Sequence, residues 1–283
     1  MKIIVDGVNG LLGSDIYEVL KRNYDVIPIY GQKDVDLTDY KAVKQFVQKN
    51  KPDIFIHCAG LKDVDVAQKD PLTTYNINTL ATRNIAVTTA AIKSKMVHIS
   101  SAAVFDGSLD RPYCEFDITN PVNIYGHSKY LAENEVKIYN NHSFIIRVPL
   151  LFGHNGRKET NPIYKMKKRL ENGESDLLYT TDQISNPTYT VDVAKAIEII
   201  MITDAYGTYN VGNSGEASRY DYFKYIAEKM GFDGTRIKPT LMGVKLAPRE
   251  KKVVLDTSLI KKAFNIEMRS WQDAMEECLN YFE

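Results

Sequence analysis

The stretch Ile3-Ile4-Val5-Asp6-Gly7-Val8-Asn9-Gly10-Leu11-Leu12-Gly13 opens the chain and decides its fold. Three consecutive apolar residues read as a buried strand. Leu12, Ile16, Val19 and Leu20 then recur at i, i+4, i+7 and i+8, which is one face of a helix. Between strand and helix lie three glycines spaced GxxGxxG. Glycine there permits a tight turn, lets backbone approach a pyrophosphate and lets the helix pack closely on the sheet. The helix N-terminus adds N–H groups and partial positive charge that suit phosphate. The spacing is not GxGxxG, and any strand–helix turn can use glycine for its shape alone. The strand–helix context is what points to a dinucleotide site, with Gly7, Gly10, Leu11, Leu12 and Gly13 lining it.

Outward from this turn, short apolar runs alternate with amphipathic ones. Residues 25–29, 53–58, 96–100 and 144–148 read as strands. Asp39 is placed to cap a helix carrying Val43, Phe46 and Val47. Asp70-Pro71 is a helix start, with Pro at the first helical position where its missing N–H costs nothing. Residues 125–139 read as helix. This alternation predicts a Rossmann-type, doubly wound parallel sheet covered on both faces. Residues 1–150 would form an NAD(P)-binding domain and 151–283 a smaller α+β substrate lobe, with the 190–201 helix returning to the first. In the lobe, Gly153-His154-Asn155-Gly156 is a turn cluster, 162–170 a basic helix and 207–211 a strand. Ser218 and Ser270 each begin an S-x-x-D helix start, to Asp221 and Asp273.

Bulk properties narrow the function. The 283 residues carry 36 Lys+Arg against 36 Asp+Glu, so no basic excess exists to drive phosphate-backbone binding, and a nucleic-acid partner is not expected. With 44% hydrophobic and 25% charged residues the composition is that of a globular chain. The three cysteines, Cys58, Cys114 and Cys278, are too scattered for a disulfide framework or a paired zinc motif. His57, His98, His127, His142 and His154 show no metal-ligand spacing, so no metal is expected. The tyrosines are spread over both halves and form no stacking platform. No apolar run approaches a membrane span, and the first apolar run is too short for a secretory leader. These features predict a cytoplasmic protein without a membrane partner.

Three further pieces carry chemistry. The end of the second strand, Ile29-Tyr30-Gly31-Gln32-Lys33, lacks the carboxylate that often binds a ribose 2′-OH. Lys33 reads there either as a partner for the 2′-phosphate of NADP or as a solvated loop lysine; Asp36-Leu37 is placed near the adenine. Tyr125-Gly126-His127-Ser128-Lys129 sets a phenol and an ammonium four residues apart, on one helix face. An ammonium beside a phenol favours the phenolate and is expected to lower its pKa. Ser100-Ser101 ends the 96–100 strand, where ligands of open parallel sheets bind. A hydroxyl there can bond a carbonyl oxygen or simply turn the loop.

Together, the glycine turn, the strand-end serine and YxxxK resemble the extended short-chain dehydrogenases/reductases. The chain is further similar to the dTDP-4-dehydrorhamnose reductase family in residues 52–60 (PDIFIHCAG) with Val64-Asp65, in Val104-Phe105-Asp106-Gly107, in Asn120-Pro121, and in Asp182-Gln183 with Asn186-Pro187-Thr188. The resemblance implies reduction of the 4-keto group of a nucleotide-activated 6-deoxy sugar by NADPH (or NADH), as in dTDP-rhamnose and polysaccharide biosynthesis. It assigns Ser101, Tyr125 and Lys129 to catalysis, and Ala59, Gly60 and Lys62 to the loop along the cofactor. It also implies a possible homodimer.

The departures fall in the sugar pocket. The family's Thr-Asp-Tyr is Ser101-Ala102-Ala103 here, its tryptophan after the Arg147 strand is Leu150, and its Arg-Pro is Arg249-Glu250. Ala102, Ala103, Leu150 and Arg249 are therefore the expected substrate contacts. Arg249, like the run Lys165, Lys167, Lys168 and Arg169, reads either as a diphosphate contact or as solvated charge. Two rivals follow: a non-catalytic NADP-binding subunit resembling the methionine adenosyltransferase beta subunit, and a nucleotide-sugar epimerase or dehydratase.

Overall fold

A computed structural model describes residues 1–282. The first half runs β1 (Lys2–Asp6), α1 (Leu11–Leu20), β2 (Asp25–Ile29), α2 (Tyr40–Asn50), β3 (Ile54–His57), α3 (Val64–Lys69), α4 (Pro71–Tyr75), α5 (Ala81–Ala91), β4 (Lys95–Ser101), α6 (Ile124–Tyr139) and β5 (Ser143–Val148). The second half runs β6 (Leu150–Phe152), α7 (Pro162–Glu171), β7 (Leu177–Thr180), β8 (Ile184–Ser185), β9 (Pro187–Tyr189), α8 (Thr190–Met201), β10 (Gly207–Asn210), β11 (Ala217–Ser218), α9 (Arg219–Lys229), β12 (Ile237–Thr240), β13 (Lys252–Val253), α10 (Ser258–Phe264) and α11 (Trp271–Leu279).

The main sheet has six parallel strands in the order β10-β5-β4-β3-β1-β2. Alternate residues of each strand face opposite layers. Ile3, Val5, Ile56, Val97, Ile99 and Ile146 pack against α1 and α8. Ile4, Phe55, Met96 and Ile145 pack against α2, α5 and α6. Both faces are thus buried, as the apolar strands predict. Strand order reverses between β1 and β3, and the crevice at such a switch point is where ligands bind in open α/β sheets.

The strand Gly207–Asn210 corrects the two-part division. It pairs in register with β5, from Gly207 opposite Phe144 to Asn210 opposite Arg147, and so belongs to the main sheet rather than to the lobe. The chain returns to the sheet over α8 and β10, and Ile260 and Ile266 of the α10 region join the same core. Sequence order suggested a boundary near residue 150; burial of the outer edge of β5 required a strand from beyond it. The lobe has its own core, including Phe152, Met166, Tyr189, Tyr222, Ile226 and Trp271.

Local caps follow the sequence signals. Asp39, Asp70, Ser218 and Ser270 each accept a bond from a first-turn backbone N–H. Between α4 and α5 the helix widens into one π turn, Asn76–Leu80, a feature that sequence periodicity did not disclose. No helix among the described residues is long and apolar enough to cross a membrane.

Candidate active site

The carboxyl ends of β1, β3 and β4 meet over the switch point, and each carries one part of the site. At β1, Gly7 adopts φ +67°, and a Cβ there would lie 2.8 Å from the Ala59 nitrogen. A Cβ on Gly13 would run into the Gly7 carbonyl oxygen. Both positions therefore require glycine, one for its conformation and one for the closeness of α1 to the turn. Gly10 forms the N-cap of α1 without a side-chain cap, and no acidic residue occupies the first turn. First-turn N–H groups of a helix lack intrahelical acceptors. This uncapped, side-chain-free cradle fits a dinucleotide diphosphate.

Asp6 ties the turn to the next loop. Its Oδ1 accepts from the backbone nitrogens of Cys58 (2.6 Å) and Ala59 (2.7 Å), and its Oδ2 lies 2.6 Å from His57 Nδ1. All of Asp6 and nearly all of His57 is buried. Asn78, from the π turn, holds the same loop further on: its Oδ1 accepts from Leu61 N (2.8 Å) and its Nδ2 donates to Leu61 O (3.0 Å). Asn78 Nδ2 also donates to Ser128 Oγ (2.9 Å), whose hydroxyl donates to Tyr125 O (2.7 Å). The loop after β3 and helix α6 thus share one buried polar chain.

Ser101 and Tyr125 come into contact, and Lys129 sits on the same helix as Tyr125. Ser101 ends β4, and its hydroxyl bonds the Tyr125 phenol and accepts from Ala103 N (3.2 Å). Lys129, one helical turn from Tyr125, is buried and donates to Ile99 O at 2.6 Å. Burial pushes its ammonium down to about 8, against the opposing pull of Glu133, Cys58 and Asp6.

The expectation that Lys129 lowers the phenol's pKa is corrected. Burial raises the Tyr125 pKa, the Ser101 bond lowers it only partly, and the Glu250 carboxylate raises it further. One of the three ammonium protons of Lys129 is committed to the Ile99 carbonyl, and the lysine is not among the groups that shift the phenol. Tyr125 therefore stands as a protonated acid.

The remaining predicted residues divide. Gly60, Lys62 and Lys33 are exposed in the loops after β3 and β2. Asp36 is occupied by its own loop, accepting from Thr38 N (2.9 Å), Thr38 Oγ1 (2.6 Å) and Gln32 Nε2 (2.7 Å). Leu37 packs on the core and its carbonyl accepts from Asn84 Nδ2 (3.0 Å). Ala102, expected against the sugar, is instead buried with Val104, Phe105, Tyr113 and Val253. The 3₁₀ turn Ala102–Val104 that follows β4 rotates it inward. Ala103 and Leu150 are half-buried. Arg249 pairs with Asp65 (2.9 Å) and donates to Ala247 O (3.0 Å).

Asp6, Asn78 and Asn123 were not singled out from sequence, and Glu250 entered only as a departure from the family's Arg-Pro. Only Asn123 carried a usable signal, an Asn just ahead of a helix; its Oδ1 caps α6 at Gly126 N (2.8 Å).

The sequence pattern described as the RmlD substrate binding domain matches residues 1–283. The chain is 34% identical to the spore coat polysaccharide biosynthesis protein SpsK of Bacillus subtilis, over 98% of this chain and 96% of that one. The crystal structure of dTDP-4-dehydrorhamnose reductase from Bacillus anthracis in complex with NADP superposes with a TM-score of 0.91 at 34% identity, covering 99% and 97% of the two chains. Methionine adenosyltransferase 2 subunit beta of Bos taurus is 28% identical over 92% of this chain and 81% of its own. With its glycine cradle, its serine–tyrosine–lysine set and these likenesses, the chain belongs to the RmlD substrate-binding-domain family.

Proposed function

We propose that this protein catalyses the NAD(P)H-dependent reduction of the 4-keto group of a nucleotide-activated 6-deoxy sugar. The observation that carries the reading is the half-buried, protonated phenol of Tyr125, bonded to Ser101 at the carboxyl end of β4 and set one helical turn from Lys129. A reduction needs its acid protonated before the reaction, and burial keeps the proton on this phenol.

The backbone of the glycine turn and the Ala59–Gly60 loop would hold the cofactor, with Lys129 beside its ribose. When bound, the nicotinamide supplies the hydride for the carbonyl carbon. Ser101 orients the carbonyl oxygen. Tyr125 Oη gives its proton to that oxygen as negative charge develops there. Lys129, a buried ammonium fixed on the Ile99 carbonyl, would act through the cofactor ribose. The acid nearest the end of β2, Asp34, accepts from Tyr30 N at 2.7 Å, while Lys33 stays exposed. That arrangement favours NADPH over NADH. Such an enzyme belongs in the cytoplasm, with the nucleotide-sugar and reduced-cofactor pools.

The test is a panel of nucleotide 4-keto sugars with NADPH and NADH, followed at the nicotinamide absorbance. Oxidation of NADPH by a dTDP-4-keto-6-deoxyhexose is the expected result. Turnover without net cofactor consumption would make it an epimerase. Tight NADPH binding with no turnover of any sugar would leave a binding subunit.

A further inference from the structure

Residues 247–250 cross from the lobe to the catalytic helix and are fastened at both sides. Ala247 N donates to Asp65 Oδ1 (3.2 Å) and Arg249 Nη2 pairs with Asp65 Oδ2 (2.9 Å). Asn123 Nδ2 donates to Pro248 O (3.0 Å) and to Glu250 Oε1 (3.1 Å), while its Oδ1 caps α6. Asn123 lies two residues before Tyr125, so the bond ties the Glu250 carboxylate to the first turn of the helix that carries the phenol. The two groups sense one another, the carboxylate raising the phenol's pKa. Behind it, the Glu250 Cβ stands 3.3 Å from where a Gly107 side chain would begin, which holds the residue against the loop after β4.

Glu250 is half-buried, and among the described residues Asn123 is the one side chain that donates to it. A carboxylate has about four acceptor sites. Taking it from water without filling them is unfavourable, and burial raises the Glu250 pKa despite bonds from its own backbone N–H and from Asn123 and the nearby Arg249 charge. The neighbouring cation, Arg249, is bonded instead to Asp65 and to the Ala247 carbonyl.

We propose that Glu250 is a specificity-determining residue, accepting a hydrogen bond from the hydroxyl on the sugar carbon next to the reacting carbonyl. The proposal rests on the reductase reading above. The carbonyl oxygen belongs to Tyr125 and Ser101, and a carboxylate cannot serve it, because both are acceptors. A neutral sugar offers only hydroxyls as donors. In a 4-keto-6-deoxy hexose the ring carbons flanking the carbonyl are C3, which bears a hydroxyl, and C5, which bears a methyl. The partner is therefore the 3-hydroxyl.

The experiment compares kcat/KM for a dTDP-4-keto-6-deoxyhexose and its 3-deoxy analogue in wild type, E250Q and E250A. Wild type should prefer the 3-hydroxy sugar by about 10–100-fold, the range of one charge-assisted hydrogen bond. That ratio should fall toward unity in E250A and lie between in E250Q, whose amide oxygen keeps the Asn123 bond. NADPH binding, followed by fluorescence, serves as the control for folding. A ratio unchanged in E250A, or a wild type indifferent to the 3-hydroxyl, overturns the assignment alone. Failure of wild type to reduce any 4-keto nucleotide sugar overturns the reductase reading, and this assignment with it.

Discussion

Glu133 grips Arg147 at two points, 2.9 Å to Nε and 2.7 Å to Nη2, in the interior of the molecule one helical turn beyond Lys129. Glu133 also accepts from Ser100 Oγ at 2.6 Å. The pair therefore fastens α6 to β4 and β5 together, and α6 carries both Tyr125 and Lys129. Arg147 also lies with its guanidinium carbon 5.0 Å from the Phe105 ring centre. The position of α6 on the sheet is set by this buried ion pair.

Removing one partner of this pair strands a charge in the interior. Arg147→Met should lower unfolding stability by about 3–5 kcal/mol, measured by urea denaturation at pH 7. The pH dependence gives a second check. Burial raises the Glu133 pKa, but the Arg147 bonds outweigh it and leave the carboxyl below its ordinary value. Stability from a depressed carboxyl is present above the unfolded value of about 4.3 and is lost as pH falls through the folded one. That acid-side loss should shrink in Arg147→Met. An unchanged acid limb would argue against the pair as its source.

Tyr125→Phe should reduce kcat by about 10²–10⁴-fold while NADPH still binds, as judged by fluorescence titration. Lys129→Met should weaken both rate and NADPH affinity. Full activity in Tyr125→Phe would remove the phenol from the mechanism.

Lys129 loses its proton near pH 8 in the free enzyme because burial disfavours the ammonium. Activity that needs this charge is complete below that value and declines above it. The profile of kcat/KM for NADPH should therefore show a descending limb with an apparent pKa of about 8. Lys129→Arg, permanently charged in this range, should be slower yet lack that limb. Persistence of the limb in the arginine variant would assign it to another group.

Asp6 holds two backbone nitrogens of the cofactor loop and the His57 ring at once. Asp6→Asn removes the charge that strengthens these bonds. Bonds to charged groups contribute about 1.5–3 kcal/mol, so NADPH affinity should fall roughly tenfold or more. Saturating NADPH should restore most of kcat. A fall in kcat with unchanged NADPH affinity would contradict a role in holding the loop.

Gly13→Ala places a methyl against the Gly7 carbonyl oxygen and must push α1 off the turn. Loss of detectable NADPH binding is expected, with the far-ultraviolet circular dichroism largely kept. Retention of wild-type affinity would show that the diphosphate does not depend on this approach.

What the sequence determined by itself were the features written in adjacent residues. The strand at Ile3, the helix after Gly10, the caps at Asp39 and Ser218 and the spacing of Tyr125 and Lys129 all follow from periodicities and turn chemistry that act over a few positions. What only the tertiary structure decided depends on residues brought together from far apart in the chain. Asp6 meets His57, Asn78 bridges Leu61 and Ser128, Arg147 meets Glu133, and Asn123 meets Glu250 across 127 residues. The inward turn of Ala102, the return of β10 to the sheet edge and the raised pKa of Tyr125 belong to the same class. Burial and pairing set them, and neither is a property of a short stretch of chain, because desolvation is exerted by whatever the fold packs around a group.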